Sequence, residues 1–271
     1  MKRYCGSLIF TLFLSGVAFA QGDIHREILN SPSSSKKIEM IWSQPPGTGP
    51  WPSLILVHPH QEWPDQIGAE IFVKNGTLGY WVEKGFIAAA VSQPGYGNSD
   101  GPKDFCGPSS QQAVLEAVRH FRNMPSIDKD AIFLYGGSRG ASIAAIVAAK
   151  DNHLAGAVLK SGLYDFVSAY KNYPWYSLIK LNMIWELGWN NEEALRERSA
   201  IFYADQIKVP LLIIHGTNDD RAGIEYAQSF MQKVNEAGGS AKFVSLESEH
   251  VIPMAKINPM MESFFKEHIH Q

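Results

Sequence analysis

The apolar positions of the chain fall into short continuous runs separated by longer stretches in which apolar residues recur every three or four positions. "SLILVH" (53–58), "IAAAVSQP" (87–94), "AIFLYG" (131–136), "AGAVLKSG" (155–162), "PLLIIHG" (210–216) and "AKFVSLE" (241–247) are too short for helices and are bounded by Gly, Pro and Ser. Continuous rather than alternating runs predict strands buried on both faces, the habit of a parallel sheet. Between them, "GYWVEKGF" reads as a short helix, and "QQAVLEAVRHFRNM", "ASIAAIVAAK", "EYAQSFMQKVNEAGG" and "PMMESFFKEHI" as amphipathic or buried helices. Earlier, "KKIEMIW" reads as an edge strand. This alternation predicts the α/β class, a mostly parallel twisted sheet with helices on both faces.

One segment breaks the rhythm. From about 165 to 207, helix-like patterning carries Phe166, Tyr170, Tyr173, Trp175, Tyr176, Trp185 and Trp189. A helical, aromatic-rich connection of that length serves either as a cap over a site or as an extension packing its own small core.

The chain opens with Lys2-Arg3, an apolar stretch and the small-x-small ending Ala18-Phe19-Ala20, the three regions of a signal peptide over residues 1–20. The expectation is an exported protein, periplasmic or secreted, whose residues 21–271 form one domain with the insert, and with no stable membrane insertion. Cleavage there leaves Cys106 as the only cysteine, which rules out an intramolecular disulfide and suits a bacterial export compartment. With a formal charge of −3 and interspersed signs, nothing predicts a nucleic-acid partner.

The chemistry concentrates in "AIFLYGGSRGAS". Gly136-Gly137-Ser138-Arg139-Gly140 ends a strand and enters an alanine-rich helix, the G-x-S-x-G setting in which a tight turn exposes a nucleophilic hydroxyl at the sheet's carboxyl edge. A serine needs a base, and the base an acid to orient it. Asp219 and Asp220 follow one later strand, and His250 follows the next. His215 reads as a buttress of the aspartate loop. The backbone N–H of Arg139 is the expected first donor to a developing oxyanion. The second belongs to the loop His58-Pro59-His60-Gln61; Pro59 has no N–H, so His60 is expected, with Gln61 as the alternative. His58 and His60 also have the spacing of a two-ligand metal strand, but no third ligand accompanies them, and the chemistry calls for no metal or organic cofactor.

These residues resemble the α/β-hydrolase fold, and within it the catalytic domain of the prolyl oligopeptidase family, with dienelactone hydrolase-like enzymes second. The stretches that carry the likeness are "QPGYGNSDG", "LYGGSRGAS", "VLKSGLYDF" and "YADQIKVPLLIIHGTNDDRAG". The resemblance implies Ser138 as nucleophile and His250 as base. It favours Asp219 over Asp220, because the family's acid stands four residues after the histidine of the "HG" pair. It also implies Tyr170 as a substrate-pocket residue. Where the family has "HGG", this chain has "HPH", and the stretch after Ala20 is too short for the β-propeller of the peptidases. The implied function is a serine hydrolase acting on a small ester, amide or short peptide. A dienelactone hydrolase-type carboxylesterase and a non-catalytic binding protein on the same fold are the alternatives.

Overall fold

The structure, a computed structural model, describes residues 23–30, 36–189 and 191–269; the expected signal segment lies outside them. Eight strands form one sheet: β1 (His25–Asn30), β2 (Lys37–Ser43), β3 (Trp51–Val57), β4 (Ile87–Val91), β5 (Ile127–Gly137), β6 (Gly156–Lys160), β7 (Leu211–Gly216) and β8 (Ala241–Leu246). Their order is β1-β2-β4-β3-β5-β6-β7-β8. β2 pairs antiparallel with both β1 and β4, and every pairing from β4 to β8 is parallel.

The continuous apolar runs are buried on both faces because successive side chains leave a strand on opposite sides. In β3, Ile55 and Val57 join one core cluster, and Leu54 and Leu56 join the other. β5 divides the same way, Ile132 and Leu134 against Phe133 and Tyr135. The first cluster lies under α3 (Pro108–Arg122), α4 (Arg139–Lys150) and α8 (Ile224–Glu236). The second lies under α1 (Glu70–Lys74), α2 (Thr77–Glu83) and α9 (Met254–His268), where the rings of Phe86 and Phe265 contact each other and both Trp81 and Phe133. Each such ring removed from water stabilises the fold by about 2 kcal/mol.

The sheet edge and some element boundaries differ from the sequence reading: β5 starts at Ile127, four residues before "AIFLYG", and α1 has no counterpart there. β2 is not an edge strand, since β1 covers its outer side; β1 itself is short, polar and mostly exposed, and so carries little apolar signal. α9 starts at Met254, five residues before "PMMES", and contains Pro259.

The insert consists of α5 (Phe166–Asn172), α6 (Leu178–Leu187), α7 (Glu192–Arg198) and a 3-10 helix (Ala200–Gln206). Asp165 caps α5 by accepting from the Ser168 N–H, and Asn191 caps α7 by accepting from that of Ala194. Its aromatics differ in burial. Phe166 joins the main core, Tyr170 and Tyr173 pack partly buried against it, and Trp175, Tyr176, Trp185 and Trp189 are largely exposed.

Candidate active site

The turn after β5 is held by backbone contact. Ser138 has φ 51° and ψ −118°, a left-handed conformation that strains a non-glycine residue, and its N–H donates to the Lys160 carbonyl at 2.7 Å. A Cβ on Gly136 would stand 2.2 Å from the Gly140 carbonyl oxygen, and one on Gly140 would stand 2.2 Å from that of Val57. The glycines therefore let α4 start directly against β3 and β5, which lifts the Ser138 hydroxyl to the sheet's edge.

The loops after β7 and β8 are tied together in the same way. The Asn218 N–H donates to the Ser248 carbonyl at 3.0 Å, the Thr217 N–H to that of Leu246 at 2.8 Å, and Gly216 leaves no space for a side chain beside Ser248. This brings Asp219 to His250. His250 Nδ1 lies 2.9 Å and 2.8 Å from the two Asp219 oxygens, and its Nε2 lies 2.8 Å from Ser138 Oγ. The acceptor pair at Nδ1 fixes the proton there and leaves Nε2 to accept from the serine.

Asp219 is enclosed. Its side chain has no exposed surface, and Oδ1 accepts from the Arg221 and Ala222 N–H groups at 3.0 Å and 2.9 Å. Burial acts to raise its pKa, but the hydrogen bonds from His215, His250 and Ala222 outweigh it and hold the carboxyl well below the usual range. His215 Nε2 donates to the Ala222 carbonyl at 2.7 Å and lies 3.1 Å from Asp219 Oδ2. It braces the loop as expected. Asp220 lines the cavity and is exposed.

A cavity of about 340 Å³ opens beside Ser138 and His250, walled by Phe105, Leu163, Phe166, Tyr173, Leu178 and Ile179. Both expected oxyanion residues, Arg139 and His60, reach it. Arg139 opens α4, so its N–H belongs to the first turn, where a helix leaves amides unpaired. Gln61 is not among the residues lining the cavity, and its side chain bonds both the N–H and the carbonyl of Gly68.

The two histidines of "HPH" have separate tasks. His58 Nδ1 donates to the Pro59 carbonyl at 2.7 Å and Nε2 accepts from the Gln93 N–H at 3.0 Å, which occupies both ring nitrogens in bracing the loop. His60 Nδ1 lies 2.8 Å from the Tyr96 hydroxyl. Burial pushes both down to about 4, with Arg139 and Lys103 adding to the effect at His60. Among the described residues, no group of three or more His, Cys, Asp or Glu side chains is placed to hold a metal.

Tyr170 packs against the main core cluster with Lys180 Nζ over its ring at 4.8 Å. The insert's tyrosine at the cavity wall is instead Tyr173, whose hydroxyl accepts from the Gly223 N–H at 2.8 Å. The "NYP" run gave the aromatic signal for it but no way to rank it over Tyr170. Cys106 also reaches the cavity; burial pushes its thiol up to about 12, and Sγ lies 3.5 Å from the Arg139 carbonyl. Sequence reasoning passed over Phe105, Tyr96 and Glu186. The Arg139 guanidinium contacts all three: Nη1 donates to Tyr96 Oη at 3.2 Å, Nη2 to Glu186 Oε1 at 2.8 Å, and its carbon lies 4.6 Å from the Phe105 ring centroid.

A mostly parallel sheet with Ser138 in a strained turn after β5, Asp219 after β7 and His250 after β8 is the arrangement of the α/β-hydrolase fold. Residues 77–270 match the prolyl oligopeptidase family, and the chain belongs to it. Among curated relatives, the uncharacterized peptidase YtmA of Bacillus subtilis (strain 168) is 24% identical over 60% of this chain and 64% of its own length. The uncharacterized peptidase YuxL of the same organism is 28% identical over 49% and 20%, so the match spans less than two thirds of either relative. The acylaminoacyl peptidase of Pyrococcus horikoshii shares the fold with a TM-score of 0.77 at 18% identity, over 94% of this chain and 43% of that one. The esterase Pf2001 of Pyrococcus furiosus does so with a TM-score of 0.64 at 16% identity, over 91% and 90%.

Proposed function

We propose that the protein is an exported serine hydrolase that cleaves an ester or amide bond through an acyl-enzyme. The observation that carries this reading is the unbroken series from Ser138 Oγ through His250 to Asp219, with 2.8 Å at both junctions. Ser138 attacks the carbonyl carbon as His250 Nε2 takes its proton. Asp219 keeps the imidazole in the required tautomer and offsets the positive charge it gains. The negative oxygen of the tetrahedral intermediate is held by the Arg139 and His60 N–H groups, a contribution of about 3 kcal/mol per donor. His250 then protonates the leaving group, and water repeats the sequence to release the acid. The aromatic and aliphatic cavity suits an apolar acyl group.

Family membership favours a peptidase, acting on short peptides or aminoacyl amides. A second reading, carboxylesterase, has its own support: this fold matches nearly the whole of the esterase Pf2001 but less than half of the acylaminoacyl peptidase. Export is supported by Lys2-Arg3, the apolar stretch and the Ala18-Phe19-Ala20 ending, and on that reading residues 21–271 are the mature domain. Among the described residues no helix is long and apolar enough to cross a membrane.

Hydrolysis of p-nitrophenyl acyl esters compared with aminoacyl p-nitroanilides and dipeptides tests the reading. Turnover of the amides at rates comparable to the esters identifies a peptidase, and turnover of esters alone identifies the esterase. Either activity is abolished in His250→Ala; absence of any turnover in the wild type leaves the binding-protein alternative standing.

A further inference from the structure

The residue after the nucleophile is bound, through its side chain, to the helical insert. Arg139 and Glu186 are 6% exposed each, and their pair is bidentate, at 2.8 Å and 3.3 Å. The Glu186 carboxylate does further work, since Oε2 also accepts from the Phe105 N–H at 2.8 Å. Phe105 has φ 45°, a left-handed conformation for a bulky residue, and its ring lies against the Arg139 guanidinium. On its other side Arg139 donates to Tyr96 Oη, which in turn contacts His60 Nδ1. One polar chain therefore runs from α6 to Arg139 and on to His60, the two backbone positions assigned to the oxyanion.

α6 is seated by few apolar contacts. Among its ten residues Met183 is fully buried, Ile179 and Leu187 pack partly buried against the main core, Leu178 is half-exposed at the cavity wall, and Leu181 and Trp185 are exposed. A desolvated ion pair is an inefficient source of net stability, because dehydration consumes most of its Coulomb attraction. It does impose one geometry, since a buried charge tolerates only the arrangement that satisfies it.

We propose that Glu186 is a positioning residue: by fixing Arg139 and Phe105 it makes seating of α6 and alignment of both oxyanion donors a single event. The inference rests on the serine-hydrolase reading of the same site. It adds that the insert completes the catalytic geometry rather than merely covering the cavity.

The test uses the full chain and an activated p-nitrophenyl ester. Glu186→Gln keeps the shape and an acceptor for Phe105 but removes the charge; kcat is expected to fall about 10- to 100-fold, with KM within about twofold. The double variant Arg139→Met/Glu186→Met removes the buried charges together, so it regains the thermal midpoint while kcat stays low. This variant also carries the test if Glu186→Gln does not fold. An unchanged kcat in Glu186→Gln, a loss confined to KM, or recovery of kcat along with the midpoint in the double variant overturns the proposal. If the wild type itself neither turns over the ester nor reacts with a fluorophosphonate at Ser138, the hydrolase reading fails and this inference falls with it.

Discussion

Asp219 and His215, four residues apart at the end of β7, meet in the interior, with Nε2 of the imidazole 3.1 Å from Oδ2. The same oxygen lies 2.8 Å from His250 Nδ1, so one buried carboxylate orients two imidazoles. Only His250 continues to the serine. His215→Phe keeps the volume and removes the donor. It is expected to destabilise the fold by about 1–3 kcal/mol and to lower kcat about tenfold, since Asp219 then turns more freely. Urea unfolding and ester turnover on one preparation check both.

The neighbouring aspartates differ in placement, Asp219 enclosed beside His250 and Asp220 exposed at the cavity. Asp219→Asn leaves the side-chain volume but reverses the tautomer preference at His250, and kcat is expected to fall by about 10⁴. Asp220→Asn, at an exposed position, is expected to stay within about threefold in kcat. Equal losses in the two variants contradict the assignment of the acid.

Gly140 packs against backbone on a side where nothing can yield. A methyl group there stands 2.2 Å from the Val57 carbonyl oxygen and 2.8 Å from that of His58. Gly140→Ala is expected to destabilise by about 3 kcal/mol. Because the strain falls on the strand end that carries His58 and His60, activity should be lost at temperatures where the variant is still folded. Circular dichroism and turnover followed over one temperature ramp show whether the two losses separate.

His58 and His60 set a pH dependence of stability. Both are lowered from 6.5 to about 4 in the folded protein, His58 by burial against the opposing Pro59 bond, His60 by burial reinforced by Arg139 and Lys103. Between those values the unfolded chain binds more protons than the folded one, so stability rises with pH through that window. It is complete above about pH 6.5, declines on acidification, and levels off near pH 4. The fully buried His58 accounts for a loss on the order of 3 kcal/mol. Unfolding free energies measured from pH 7.5 to 4 should show this slope, and His58→Gln should flatten it.

Much of the fold was legible because a parallel sheet buries both faces of its strands, and "SLILVH", "AIFLYG" and "PLLIIHG" are continuous for that reason. β1 was not, because an edge hairpin strand needs only one partner and little apolar surface. Ser138, Asp219 and His250 were legible because the turns that hold them follow strands in a fixed order, and the geometry brings them together. Tyr173 and Glu186 were not. Which face of an insert helix turns inward depends on contacts with Gly223, Arg139 and Phe105 from distant parts of the chain, and those leave no periodic trace.

The most direct measurement is covalent. The full chain is treated with a fluorophosphonate, digested, and the modified peptide located by mass spectrometry, with Ser138→Ala and His250→Ala treated alongside. The account predicts a single adduct on Ser138 in the wild type, none in Ser138→Ala, and labelling slowed by at least about 100-fold in His250→Ala. An adduct on another residue, or labelling of Ser138 at an unchanged rate without His250, would contradict it.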